Sequence, residues 1–168
     1  MPFSVLLLTA VSSERHISGY GGDRVSMQTP RAGEVALFFD KIDGDIVRQS
    51  LGVGKKCCDG IIFYAHGTQK VICLVEMKSA NLGEAEEQIK ETYTHLREML
   101  KKECTFCKDY LQQINWRAYI YRSGAAPKKD ADRCVERLEK CGFAKGNVKV
   151  LDNPDITEFL RKESKRHN

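Results

Sequence analysis

The chain has no apolar run approaching the ~20 residues of a membrane-spanning helix. Val5 to Leu8 is apolar, but the run is short and no positive charge precedes it. It reads as an N-terminal strand or packed segment, not as a signal peptide. Proline is scarce, at 4 of 168 residues, and there is no internal repeat, low-complexity tract or proline-rich linker. Repeat arrays and linked multidomain designs therefore drop out. What remains is one globular domain, which at this length buries roughly 70% of its unfolded surface.

Cysteine usage also argues against a disulfide framework. There are seven cysteines, an odd number, and Cys57 and Cys58 are adjacent, a spacing that does not readily bridge. A disulfide framework is not expected, and a reducing, cytoplasmic setting is. Cys104 and Cys107 form a lone CxxC, and no second pair stands at that spacing to complete a four-ligand zinc site. Cys57, Cys58 or His95 could supply the rest in space. Small buried or loop cysteines are the plainer reading. Residues 52–56 contain glycines and lysines but lack the Walker spacing and a Ser or Thr after the lysine, so they read as a turn.

What is present is a modest positive balance, net +4 with a pI near 8.6. This permits nucleic-acid binding without demanding it. The cations gather at Lys128 and Lys129 and at Arg161, Lys162, Lys165 and Arg166, where a solvated tail explains them equally well.

Periodicity divides the chain into elements. Residues 12–33 are rich in Ser, Gly and charge and predict a mobile loop. From Glu34 the apolar positions Val35, Phe38, Phe39, Ile42 and Ile46 follow helical spacing. Residues 58–65 and 70–78 then predict two strands, rich in β-branched and aromatic side chains. Gly67-Thr68 between them suits a type II′ two-residue turn.

Asn81 is a predicted N-cap with Glu84 at N3, opening a helix with Ala85, Ile89, Leu96 and Leu100 inward. Trp116 to Tyr121 predicts a strand. Residues 129–141 predict a helix stopped at Gly142, and residues 148–151 a further strand. Asn153-Pro154 predicts the cap of a last helix carrying Ile156, Phe159 and Leu160. The order is a mixed α/β layer with helices over a sheet.

The hairpin carries the chemistry. A Gly67-Thr68 loop sets Asp59 directly opposite Glu76, with about 5 Å between Cβ atoms. Lys78, two residues on, emerges on the same face as Glu76. Both faces of the hairpin are apolar along most of their length, so it is central and two acids meet at the end of a buried sheet. One lysine balances only one of them. Mg²⁺ binds through one or two carboxylates plus water and substrate phosphate, so the pair suits an open Mg²⁺ site for phosphodiester chemistry. A charge cluster at a sheet margin is the bland alternative.

Asp59, a short hairpin, and then Glu76-Met77-Lys78 resemble the PD-(D/E)XK nuclease signature. Gln88, with Tyr93 beyond it, resembles the Gln-to-Tyr motif of the RecB-like branch, and Glu34 falls where many members carry an acid on the first helix. The resemblance covers residues 33–122. It implies a restriction-endonuclease-like fold, an αβββαβ core around a central mixed sheet flanked by helices, with a first strand near residues 46–54. Residues 1–32 would precede this core and residues 123–168 would add a βα extension within the one domain.

Two departures stand out. Cys58 occupies the proline position, and Tyr93 lies one residue further from Gln88 than the pattern has it, so that Thr92 and His95 share the Gln88 face.

The resemblance also implies roles. Asp59, Glu76 and the Met77 backbone carbonyl would hold Mg²⁺, with Mn²⁺ as a substitute, and Glu34 would be a further metal-side carboxylate. Lys78 would position the attacking water, stabilise developing charge, or act as base. Gln88 would hold the water, the outer metal shell or a phosphate, unless it is a plain helix glutamine. The expected activity is nucleic-acid hydrolysis, DNA ahead of RNA, in restriction, repair or antiphage defence, with a homodimer or partner protein supplying specificity. The alternatives are a catalytically inactive binding domain on the same fold and a zinc- or thiol-based module at Cys104 and Cys107. Trp116, Tyr119, Tyr121, Arg117 and Arg122 could stack on bases, although a central strand more often buries such residues.

Overall fold

The computed structural model describes residues 2–52, 54, 56–78, 81–103, 112–124 and 127–163. Helix α1 (Pro2–Thr9) leads into a two-residue strand β1 (Val11–Ser12) and a ribbon of β2 (His16–Ser18) and β3 (Arg24–Ser26). Strand β4 (Glu34–Asp40), helix α2 (Asp45–Leu51), the hairpin β5 (Gly60–His66) and β6 (Gln69–Lys78), and helix α3 (Leu82–Glu103) follow. The chain continues through β7 (Ile114–Arg122), α4 (Lys128–Lys140), β8 (Val148–Leu151) and α5 (Thr157–Arg161).

Six strands form one sheet in the order β1-β4-β5-β6-β7-β8, antiparallel up to β6 and parallel from β6 to β8. Parallel neighbours need a crossover, and α3 and α4 supply the two. Both pack on one face, where Ile89, Leu96 and Leu138 meet Ile61, Leu74 and Ala118. The ribbon and α5 cover the other face, with Ile17, Val25 and Phe159 against Ile62, Cys73 and Tyr119. The hairpin strands are therefore buried on both sides, which is why β5 and β6 are continuously apolar.

The hairpin register is as the turn chemistry predicts. His66 pairs with Gln69 and Gly60 with Val75. Gly67 has φ +55 while Thr68 is not in the left-handed region, the pattern of a II′ turn. Asn81 caps α3, its Oδ1 accepting the Glu84 N–H at 3.2 Å. The expected strand at 116–121 lies within β7, the expected helix at 129–141 overlaps α4, and residues 148–151 form β8.

Four expectations are corrected. Residues 34–40 form a strand: Phe39 packs on the helix face and Phe38 on the ribbon face. Adjacent apolar residues on a doubly covered strand imitate helical i, i+3, i+4 spacing, and Ile46, the supposed end of the stripe, is exposed. Residues 45–51 are helix α2 and not a first strand. Residues 12–33 hold the β2–β3 ribbon in place of a mobile loop; Ile17 lies so close to Gly60 that an added Cβ there would come within 2.5 Å of it. The last helix begins at Thr157, whose N–H is accepted by Asp155 Oδ1, while Asn153 Oδ1 accepts the Asp155 N–H in a turn before it.

Candidate functional site

Asp59 and Glu76 lie one step beyond the last paired residues of the hairpin and are tied to each other's strand. The Asp59 N–H donates to Glu76 Oε2 at 3.2 Å, and the Met77 N–H donates to Asp59 Oδ2 at 2.7 Å. Glu76 is 0% exposed and Asp59 7%. Lys78 Nζ sits 3.3 Å from Glu76 Oε1 and 3.7 Å from Glu84. The Lys78–Glu76 contact is an ion pair out of hydrogen-bond alignment, and Glu76 Oε1 has no hydrogen-bond donor.

The electrostatics follow from burial. Loss of water, reinforced by the Asp59 charge, pushes the Glu76 carboxyl up to about 9 despite Lys78. Burial pushes Asp59 up to about 6, with Asp43 and Asp40 adding repulsion and the Met77 N–H and Lys78 opposing it. Burial pulls the Lys78 ammonium down, but Glu76, Glu84 and Asp59 more than offset this and its pKa rises. Lys78 therefore stays charged, and Glu76 gives way by holding a proton.

Asp59 floors a cleft of about 440 Å³ that is also lined by Ser18, Gly19, Lys41, Asp43 and Gly44. The β4–α2 loop delivers three of these. The Ile42 N–H donates to the Asp59 carbonyl at 3.2 Å, and Lys41 adopts φ +54, rare for a residue with a Cβ. The ribbon closes the other side. The Ser18 N–H donates to Asp40 Oδ1 at 2.8 Å, and Gly19 lies where a Cβ would be 2.9 Å from Met77 Sδ. The helical spacing over residues 34–46 hides Asp40, Lys41 and Asp43 as site residues. Asp43-Gly44 is the turn signal in the sequence that points to them.

Gln88 does not line the cleft. Its Nε2 donates to the Cys57 carbonyl at 3.0 Å, and its Oε1 is buried without a partner. Thr92, on the same helix face, accepts the Cys58 N–H at 3.1 Å, and His95 Nε2 reaches the Leu51 carbonyl at 2.7 Å. Together they bond Leu51, Cys57 and Cys58 on the approach to Asp59. Tyr93 faces away and donates to the Gly142 carbonyl at 3.0 Å. Glu34 lies at the other end of β4, six residues or about 20 Å from Asp40. Its carboxylate accepts from Arg161 Nε at 2.7 Å and from the Tyr64 hydroxyl at 3.0 Å. The structure does not bring Glu34 to Asp59 and Glu76.

Among the described residues no three His, Cys, Asp or Glu side chains form a ready metal cluster. The expected CxxC at 104–107 lies outside the described residues, and Cys57 and Cys58 are buried in the core. Arg117 and Tyr119 are core residues; the Arg117 guanidinium donates to the Leu160 carbonyl at 3.1 Å. No helix among the described residues is long and apolar enough to cross a membrane. No family model, curated protein or solved structure matches the chain.

Proposed function

We propose that the chain is a divalent-metal-dependent nuclease whose acting residues are Asp59, Glu76 and Lys78. The observation that carries this reading is the buried pair of carboxylates facing each other across the hairpin, with Asp59 at the floor of an open cleft, Glu76 fully buried behind it, and one lysine to balance two acids. Holding such a pair ionised at neutral pH costs several kcal/mol without compensating charge. A hard cation supplies that charge, and the oxygen-only donors suit Mg²⁺ or Mn²⁺. The donorless Glu76 Oε1 is a buried oxygen with coordination capacity to spare. A larger cavity exists elsewhere, but no carboxylate among the described residues lines it; chemistry, not size, selects the cleft.

In this reading Asp59 and Glu76 would hold the ion, helped by the Met77 backbone carbonyl. The ion, when bound, polarises the scissile phosphate and lowers the pKa of its water. Lys78 remains an ammonium, so it orients water and stabilises developing negative charge; the base role is the weaker of its two. Lys41, exposed at the lip, is placed to meet backbone phosphate. Gln88 acts through the Cys57 carbonyl and not on the reacting atoms. The order β4-β5-β6-β7, antiparallel then parallel with α3 as crossover, supports the restriction-endonuclease-like reading of the sheet.

The test uses supercoiled and linear duplex DNA, single-stranded DNA and RNA, each with Mg²⁺, Mn²⁺ or EDTA. The expected result is metal-dependent cleavage of DNA that falls at least about 100-fold in Asp59→Asn, Glu76→Gln and Lys78→Ala. Cleavage unchanged in all three sinks the assignment. Binding of nucleic acid without cleavage under any metal favours an inactive binding domain.

A further inference from the structure

A second cavity, about 550 Å³, is lined by Tyr93, Arg97, Leu100 and Lys101 of α3 and by Ile114 and Trp116 at the start of β7. It is separate from the acidic centre. Trp116 pairs with Ile72, whereas Glu76 pairs with Ile120, four residues or about 13 Å further along the sheet. Its size lies within the range of small-molecule sites.

The wall is built and rigid. Tyr93 stacks on Phe143 with centroids 4.3 Å apart and meets Trp116 edge to face at 5.3 Å. Its hydroxyl donates to the Gly142 carbonyl and accepts from Arg97 Nη1 at 2.7 Å, while the Arg97 guanidinium lies 5.1 Å from the Tyr93 ring centre. Arg97 is thus held in place before any ligand arrives, which cuts the ordering cost of binding. Lys101 follows one turn later on the same helix face. The described lining has two cations and no carboxylate, so the charge it complements is negative. Leu100, Ile114 and the partly exposed indole of Trp116 supply the apolar surface.

We infer that this cavity binds a planar aromatic anion of the nucleoside monophosphate class, with its ring against Trp116 and its phosphate on Arg97 and Lys101. A ring system buries itself on the indole and the aliphatic floor, and aromatic stacking adds to that burial. A phosphate takes charge-assisted hydrogen bonds from the guanidinium and the ammonium. Neither half alone uses both parts of the wall.

Trp116 is the chain's single tryptophan, so its emission reports on this cavity and nothing else. The full chain is titrated with adenosine 5′-monophosphate, adenosine and inorganic phosphate, with excitation at the red edge of the indole band where the nucleotide does not absorb. Saturable quenching by the monophosphate is expected, with each fragment at least about tenfold weaker. Arg97→Gln and Lys101→Gln each remove a charge-assisted contact and weaken the monophosphate about tenfold or more. Lys101 is exposed, so its variant keeps the fold even if Arg97→Gln disturbs Tyr93. Quenching that never saturates, that phosphate alone reproduces, or that survives both substitutions overturns the site. Glu76→Gln leaves the titration unchanged whether or not the acidic centre cuts nucleic acid.

Discussion

Glu76 sets the terms at the residue scale. Its carboxyl moves from an ordinary value near 4.5 up to about 9, and Asp59 moves from 3.8 up to about 6. A raised carboxyl pKa means that the folded state binds the proton more tightly than the unfolded chain does. Stability is therefore greatest at low pH for these groups and falls as pH rises through the window between the two values. The metal-free protein is expected to lose melting temperature steadily from about pH 4.5 to about pH 9. Glu76→Gln, which keeps the shape without the charge, flattens most of that slope. Mg²⁺ should flatten it in the parent protein and do so less in the variant. Thermal melts across pH, with and without metal, check this; a slope identical in parent and variant means that Glu76 is not the group responsible.

At the scale of elements, α3 positions the site without entering it. Gln88, Thr92 and His95 lie on one helical stripe and bond Leu51, Cys57 and Cys58, so that the chain reaches Asp59 in a defined place. Thr92 is fully buried and also donates to the Gln88 carbonyl at 2.8 Å, which directs its lone pairs at the Cys58 N–H. Thr92→Val fills the same volume but leaves that N–H unpaired, at a cost of about 1–3 kcal/mol. Thr92→Ser keeps the hydroxyl and should recover most of the loss. Urea unfolding of the three proteins measures the difference, and a Val variant as stable as the parent would show that the clamp contributes nothing. That this stripe is Gln88, Thr92, His95, with Tyr93 turned elsewhere, was legible from the 3.6-residue period. Its target was not, because which segment meets a helix face is decided by tertiary packing.

The whole molecule is closed at its other end by an ion pair distant in sequence. Arg161 of α5 bonds both oxygens of Glu34, at 2.7 Å and 2.9 Å, and the two side chains are only 10% and 3% exposed. The hydrogen bond from Arg161 is the largest of several influences that bring Glu34 down from 4.5 to about 2. Its stabilisation is full above about pH 4.5 and is lost as pH falls through about 2. This is opposite in sign to Glu76 and Asp59. The metal-free protein is thus expected to be most stable in mild acid, squeezed from below by Glu34 and from above by the acidic centre. Arg161→Gln should erase the acid-side decline and leave the alkaline side as it was. Melting temperatures of the two proteins from about pH 2 to pH 9 test this; an unchanged acid limb places the cause elsewhere.

The sequence by itself determined the hairpin and what hangs on it. A glycine-led two-residue turn and a period of two are short-range rules, so the register that sets Asp59 beside Glu76 and turns Lys78 to the same side needed no distant information. The N-cap of α3 and the strand at 116–121 within β7 were local in the same way. Only the tertiary structure decided that residues 34–40 are a strand, since Phe38 and Phe39 suit a helix until two opposite faces are there to receive them. The same pairing moved Glu34 to the far end of the sheet, gave it Arg161, and brought Asp40 and Asp43 to the cleft in its place. Local periodicity tells which side chains share a face. Which surface meets that face depends on contacts far apart in the chain, and these are settled only when the whole core is packed.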